Sequence, residues 1–96
     1  MKEREYLLTL YEIYKELLTD KEKEYFENYY FEDLSLQEMA DNYGVSRSYV
    51  GKFINTIEKK LHKYETSLNI NEKNIKIREI IYNLDDDIKS KIQELL

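Results

Sequence analysis

Residues 35–61, SLQEMADNYGVSRSYVGKFINTIEKKL, contain two helix-start signals separated by a glycine turn. Ser35 is an N-cap candidate, and Glu38 three residues later completes a capping box. Gly44 can end that first helix, because glycine adopts the left-handed backbone conformation at little cost. Ser46 is the N-cap candidate of the second helix. A capped helix, a tight turn and a second capped helix predict a helix-turn-helix.

The second helix of this motif has an apolar face. Its apolar residues recur at spacings of four, three and four, which is typical of a helix that packs on a core. Ala40 supplies the small residue that the first helix needs where the two helices cross. The predicted core face of the second helix consists of Val50, Ile54, Ile57 and Leu61.

The chain before the motif is also predicted to be helical. A first helix is expected over about residues 3–18, and the capping box Thr19–Glu22 predicts a second that ends near Phe31. The residues expected to pack are Tyr6, Leu7, Leu10, Tyr14, Leu17 and Leu18 in the first helix, and Tyr25, Phe26, Tyr29 and Tyr30 in the second.

Two further helices are predicted after the motif. Asn69 marks a break, and a following apolar stripe comprises Ile77, Ile80, Ile81 and Leu84. The acidic run at residues 85–87 suits the positive N-terminal end of a last helix.

The predicted fold is therefore all-α: a small helical bundle with a helix-turn-helix that lacks a wing, and C-terminal helices. We assign residues 1–68 to a helix-turn-helix domain with a covering N-terminal helix. Residues 69–96 form a helical tail that packs on this domain or on a second subunit.

The composition narrows the classes of function. There is no cysteine among the 96 residues, which excludes disulfides, thiolate chemistry and zinc fingers. The sequence contains no glycine-rich phosphate loop, nucleophile motif or metal-ligand spacing, so we expect no enzyme, no cofactor and no metal. His62 is interpreted as a solvated helix residue, and residues 85–87 as a helix start rather than a metal cluster. Without an apolar stretch of about 18 residues, we expect a cytoplasmic protein with no membrane insertion.

The charge is distributed unevenly along the chain. The formal net charge is −5, which by itself disfavours a nucleic-acid partner. By segment, however, residues 1–42 carry −7, residues 43–65 carry +3 and residues 66–96 carry −1. The positive charge therefore coincides with the second helix of the motif, which favours binding of a polyanion there.

In a DNA-binding helix-turn-helix the second helix enters the major groove. The recognition helix predicted here spans about residues 47–63. Arg47 and Lys52 can bind phosphates or guanine edges, and Asn55 can pair with an adenine edge. Gly51 is expected to permit a close approach. The predicted DNA-binding residues are Ser46, Arg47, Ser48, Tyr49, Gly51, Lys52, Asn55, Thr56 and Lys59.

Residues 18–64 resemble region 4 of bacterial sigma factors. They share its order of a capped helix, an aromatic pair, an acidic turn, SLQEMA and GVSRSYV. In that family the helix that begins at the Ser-Arg-Ser position reads the promoter −35 element. The resemblance therefore implies that Arg47, Ser48, Tyr49 and Lys52 face the groove.

The sequence departs from the sigma pattern in one respect. The sigma recognition helix is rich in arginine, whereas this chain has Gly51, Phe53, Asn55 and Thr56 over much of the same stretch. This difference implies weaker or narrower DNA binding.

Nearly the whole chain resembles the YlxM-like family, which comprises small helix-turn-helix proteins of low-GC bacteria. The likeness is carried by the Tyr/Leu-rich first helix, YLLTLYEIYKELL, by the motif itself and by the long helix that ends in HKYE. The family is linked to the signal recognition particle pathway through the position of its gene, and is described as regulatory. The resemblance implies a regulator that binds double-stranded DNA. The alternatives are an adaptor that binds signal recognition particle RNA or protein, and a structural homodimer.

Overall fold

The computed structural model describes residues 2–96 and confirms the all-α prediction. The described residues form six α-helices and no strand. The helices are α1 (Lys2–Tyr14), α2 (Asp20–Tyr30), α3 (Leu36–Tyr43), α4 (Arg47–Leu68), α5 (Ile70–Ile81) and α6 (Asp86–Gln93).

Both predicted capping boxes are formed. The Thr19 hydroxyl accepts from the backbone N–H of Glu22 at 3.1 Å, and the Glu22 carboxylate accepts from the Thr19 N–H at 2.8 Å. Ser35 and Glu38 make the same reciprocal pair at 3.0 and 2.9 Å. These bonds satisfy N–H groups that the first turn of a helix leaves unpaired, and they therefore fix where α2 and α3 begin.

The turn between α3 and α4 also forms as predicted. Gly44 has φ +66°, in the left-handed region, and its N–H donates to the carbonyl of Ala40. Two residues later the Ser46 hydroxyl accepts from the N–H of Tyr49 at 3.0 Å and caps α4. The chain therefore leaves one helix and starts the next within three residues.

The core lies where α1, α2 and α3 pack around the long helix α4. The rings of Tyr11 and Phe26 stack there with centroids 4.2 Å apart. Burial of such apolar side chains is the main stabilising contribution in a domain of this size. The core contains the four predicted residues of α4, Val50, Ile54, Ile57 and Leu61, together with Leu7, Leu10, Tyr11, Tyr14, Leu18, Tyr25, Phe26, Tyr30, Met39 and Ala40.

The expected inward position of Leu17 is wrong. The prediction continued one α-helix through residue 18, but α1 ends at Tyr14 and a 3₁₀ turn covers Lys15–Leu17. A 3₁₀ helix turns about 120° per residue instead of 100°. The apolar stripe therefore loses its phase, and Leu17 is left 54% exposed.

Helix α5 packs on α1, but much of the apolar surface of α5 and α6 stays exposed. Of the predicted stripe only Ile81 is buried, whereas Ile80 is 75% exposed and Leu84 is also exposed. The molecule measures 54 × 25 × 24 Å and its radius of gyration is 16.8 Å. A compact domain of this length would have a radius near 12.5 Å. The predicted stripe therefore lies mostly on the surface, because α6 packs on α5 without covering it.

Candidate nucleic-acid interface

The long helix α4 has one buried face and one exposed face. Its apolar residues at helical spacing point into the core, so the residues between them face solvent. All of the predicted DNA-binding residues lie on this outer side or at its N-terminal end. Gly51 is half-buried, and the exposed members are Ser46, Arg47, Ser48, Tyr49, Lys52, Asn55, Thr56 and Lys59.

The two carboxylates of α4 are turned away from this outer side. Glu58 accepts a hydrogen bond from the Tyr30 hydroxyl of α2. Glu65 is 7% exposed and accepts from the Tyr14 hydroxyl at 2.5 Å. The acids of the helix are therefore engaged with the body of the protein, and the cations remain outside.

Four cations of the interface have no internal partner. Among residues 2–96, no salt bridge includes Arg47, Lys52, Lys59 or Lys63. All four are exposed. Free cations on the exposed face of a helix-turn-helix can bind phosphates without breaking an existing ion pair.

Lys60 differs from the nearby Lys59 and Lys63 because it has an ion-pair partner within the described residues. Its ammonium lies 2.5 Å from the Glu22 carboxylate. Burial pushes the pKa of Glu22 upward, but the hydrogen bonds from Lys60 and the Thr19 N–H outweigh this, so the pKa lies below its usual value. Lys60 thus joins α4 to the capping box of α2.

Tyr49, one of the predicted DNA-binding residues, makes contacts that the sequence did not indicate. Its ring stacks on Phe53 with centroids 5.9 Å apart. Its hydroxyl accepts a hydrogen bond from the ammonium of Lys21 at 2.7 Å. Lys21 lies 28 residues earlier, in the first turn of α2, and nothing in the local sequence pattern indicates this contact.

Gly51 is not required by packing within the protein. A Cβ built at this position would lie 3.7 Å from Leu36 Cδ1, an ordinary van der Waals distance. Glycine within a helix costs roughly 1 kcal/mol relative to alanine. Packing within the protein therefore does not explain why glycine occupies this position.

Other features of the described residues do not indicate a catalytic or metal site. The Nε2 atom of exposed His62 lies 3.0 Å from the Glu3 carboxylate. Residues 2–96 contain no cluster of three or more metal-ligating side chains. The acidic residues Asp86 and Asp87 lie in the first turn of α6, as expected of a helix start. No helix in the same range has the length and apolar character needed to cross a bilayer.

Comparison with known proteins identifies the family. The model of the UPF0122 family, described as "Putative helix-turn-helix protein, YlxM / p13 like", matches residues 1–95. The UPF0122 protein UUR10_0158 of Ureaplasma urealyticum serovar 10 is 43% identical over 94 residues, covering 96% of this chain and 94% of that protein. The UPF0122 protein YofM of Lactococcus lactis is 38% identical over 93 residues, covering 91% and 84%. A UPF0122 protein of Mycoplasma capricolum is 48% identical over 67 residues, covering 70% and 59%. The chain therefore belongs to the UPF0122 family of YlxM/p13-like helix-turn-helix proteins.

Proposed function

We propose that this protein binds double-stranded DNA as a regulator, with the exposed face of α4 in the major groove. The observation that carries the proposal is the charge on this face. It presents Arg47, Lys52, Lys59 and Lys63, none of which is in an ion pair within the described part of the chain, while the carboxylates of α4 face inward. A face of this kind on the second helix of a helix-turn-helix matches the polyanionic duplex.

The proposed contacts follow from side-chain chemistry and position. The Ser46 end of α4 offers free N–H groups to a phosphate. Arg47, Lys52 and Asn55 reach base edges or phosphates, and Lys59 follows the backbone. Ser48, Tyr49 and Thr56 contribute hydroxyls, and Gly51 allows the duplex to approach the helix closely.

The dimensions of α4 suit this role. Its 22 residues span about 33 Å at 1.5 Å per residue. The major groove, about 12 Å wide, admits the N-terminal half of such a helix, and Lys59 and Lys63 then lie toward the groove wall. Because the whole chain carries −5, we expect affinity to depend on a few local phosphate contacts and to fall steeply with salt.

Selection from a random duplex pool tests this function. We expect wild-type protein at low salt to enrich a motif that the Arg47→Ala variant does not enrich. Arg78→Ala is the matched control, because Arg78 is an exposed arginine on α5, outside the proposed interface. The absence of any enriched duplex, with binding of signal recognition particle RNA or protein instead, would favour the adaptor hypothesis over ours.

We further propose that residues 1–68 form the DNA-binding domain and that residues 69–96 form a dimerisation arm. In the arm, α6 packs on α5 and several large apolar side chains stay exposed. Seven large exposed apolar side chains within residues 70–95 exceed the scattered single ones of an ordinary surface, and such density favours an interaction site. The exposed apolar residues of the arm are Ile70, Ile75, Ile80, Tyr82, Leu84, Ile88 and Leu95, the last of which is 85% exposed.

The occupant that we propose for this surface is a second copy of the chain. Residues 66–96 carry only −1, and they mix cations and anions in pairs such as Lys76–Glu72 and Lys91–Asp87. Two such arms therefore repel each other much less than two N-terminal segments with −7 each would. Two-fold pairing would also present two recognition helices to one duplex.

Sedimentation at micromolar concentration tests the arm. We expect a species of twice 11.8 kDa for the wild type and a monomer for Ile80→Glu, because a charge at that position would be buried without a partner. Leu17→Glu is the matched control: it alters an exposed apolar residue on the body and should remain dimeric. A wild type that sediments only at 11.8 kDa, or an Ile80→Glu variant that remains dimeric, contradicts the proposal.

A further inference from the structure

Lys21 lies beside α4, although it belongs to α2. Its ammonium donates to the Tyr49 hydroxyl at 2.7 Å. It also lies over three aromatic rings, 5.0 Å from the centroid of Phe53, 5.3 Å from Tyr49 and 5.8 Å from Tyr25. Attraction between the cation and the ring faces holds the ammonium near the start of the recognition helix.

This contact leaves the Tyr49 hydroxyl able to donate. A phenolic oxygen has one proton to donate and lone pairs that accept. Because Lys21 occupies the acceptor side, the Tyr49 proton is free to point away from the ammonium. Among residues 2–96, Tyr49 has no acceptor for that proton, and Lys21 has no carboxylate in a salt bridge.

The contact also lies on the surface proposed for DNA. Tyr49 is the third residue of α4, next to Arg47 and Ser48, and both Lys21 and Tyr49 are exposed. An ammonium and a hydroxyl donor side by side, both accessible, match the several acceptor oxygens of one phosphate. The nearby acids are not bonded to this pair: Glu22 is paired with Lys60, Glu24 accepts from the Tyr43 hydroxyl, and no salt bridge among residues 2–96 joins either carboxylate to Lys21.

We propose that Lys21 and Tyr49 bind the same backbone phosphate, so that two different helices hold one point of the duplex. This inference rests on the proposed DNA-binding function. Lys21 supplies the charge and Tyr49 supplies a directed hydrogen bond. Anchoring from α2 as well as α4 sets the angle at which the recognition helix enters the groove.

Two variants separate the roles of this pair. Lys21→Met keeps the apolar stem over the rings and removes the charge, and Tyr49→Phe keeps the ring and removes the hydroxyl. We expect each to lower the affinity for a duplex of mixed sequence about 5- to 20-fold. Only Lys21→Met should also reduce the slope of log affinity against log salt, by about one. The double variant should lose less than the product of the two single losses, because the two groups share one phosphate.

Lys23→Met is the matched control, since Lys23 lies on the same helix but faces Glu16 at 3.9 Å. It should leave affinity and salt slope unchanged. If the wild type binds duplex and Lys21→Met keeps its affinity and salt slope while losing thermal stability, Lys21 only braces Tyr49 and the inference is overturned. If the wild type does not bind duplex at all, the proposed function fails and this inference fails with it.

Discussion

Replacing both Lys52 and Lys59 with glutamate is expected to lower duplex affinity about 100- to 1000-fold at roughly 0.1 M salt. Each substitution removes one proposed phosphate contact and adds a negative charge at the same place. A loss of about 1.5–2 kcal/mol per position gives this range, since 1.4 kcal/mol is a factor of ten. Both residues are exposed on α4 and lie outside the core. Fluorescence anisotropy with a labelled duplex measures the change.

The control for this variant has the same change in net charge elsewhere. Lys73→Glu with Lys76→Glu alters two exposed lysines on α5, outside the proposed DNA interface; because α5 belongs to the proposed dimerisation arm, sedimentation first checks that this variant has the oligomeric state of the wild type. Long-range repulsion between DNA and a more acidic protein would weaken both variants equally. Contact on α4 predicts that only the Lys52/Lys59 variant loses most of its binding. Equal losses in the two variants would refute the placement of the duplex on α4.

Glu65→Ala is expected to lower the free energy of unfolding by about 2–4 kcal/mol. The buried carboxylate accepts from the Tyr14 hydroxyl at 2.5 Å and from the backbone N–H groups of Asn71 and Glu72 at 3.1 and 3.0 Å. Alanine leaves these donors without their acceptor in the junction between α1, α4 and α5. For a domain of this size, the midpoint of thermal unfolding should fall on the order of 10–20 °C.

This carboxylate also predicts a dependence of stability on pH. Burial pushes the pKa of Glu65 upward, but the hydrogen bonds from Tyr14, Asn71 and Glu72 outweigh it, so the pKa lies below the usual value. A carboxyl whose pKa is lowered on folding stabilises the protein above its unfolded pKa, near 4.3. That contribution is lost as the pH falls through the folded pKa.

Thermal melts of wild type and Glu65→Ala across this pH range measure both effects. The difference between their midpoints should be largest near pH 7 and should shrink below about pH 4.3. Glu79→Ala is the control, because Glu79 is an exposed carboxylate on α5 without a salt bridge among the described residues. A difference that does not change with pH would contradict the role given to the Glu65 charge.

The parts of the fold that the sequence predicted are those determined by local interactions. The Thr19 and Ser35 capping boxes, the left-handed Gly44 and the Ser46 cap each depend on residues within four positions of one another. The buried face of α4 follows from helical period alone, and so does the set of residues opposite it. Short-range patterns therefore recovered the helix-turn-helix and its outer face.

The parts that the sequence did not predict depend on contacts between residues far apart in the chain, or on whether another helix packs against an apolar face. Period alone indicates that Ile80 is apolar and on a stripe, but not whether another helix lies against it. The pairing of Lys60 with Glu22 spans 38 residues and that of Lys21 with Tyr49 spans 28. Such separations leave no local signature, which is why neither contact could be predicted from the sequence.

Amide chemical shifts of the labelled protein, followed by NMR as an unlabelled duplex is added, test the central claim most directly. At 11.8 kDa the chain suits this measurement. Binding through α4 predicts that the largest perturbations occur between Ser46 and Lys63 and at Lys21, with the arm of residues 69–96 little affected. Perturbations confined to the arm, or none at protein concentrations up to about a millimolar, roughly ten times the weak end of non-specific DNA binding, would contradict the assignment of the exposed face of α4 as a duplex-binding surface.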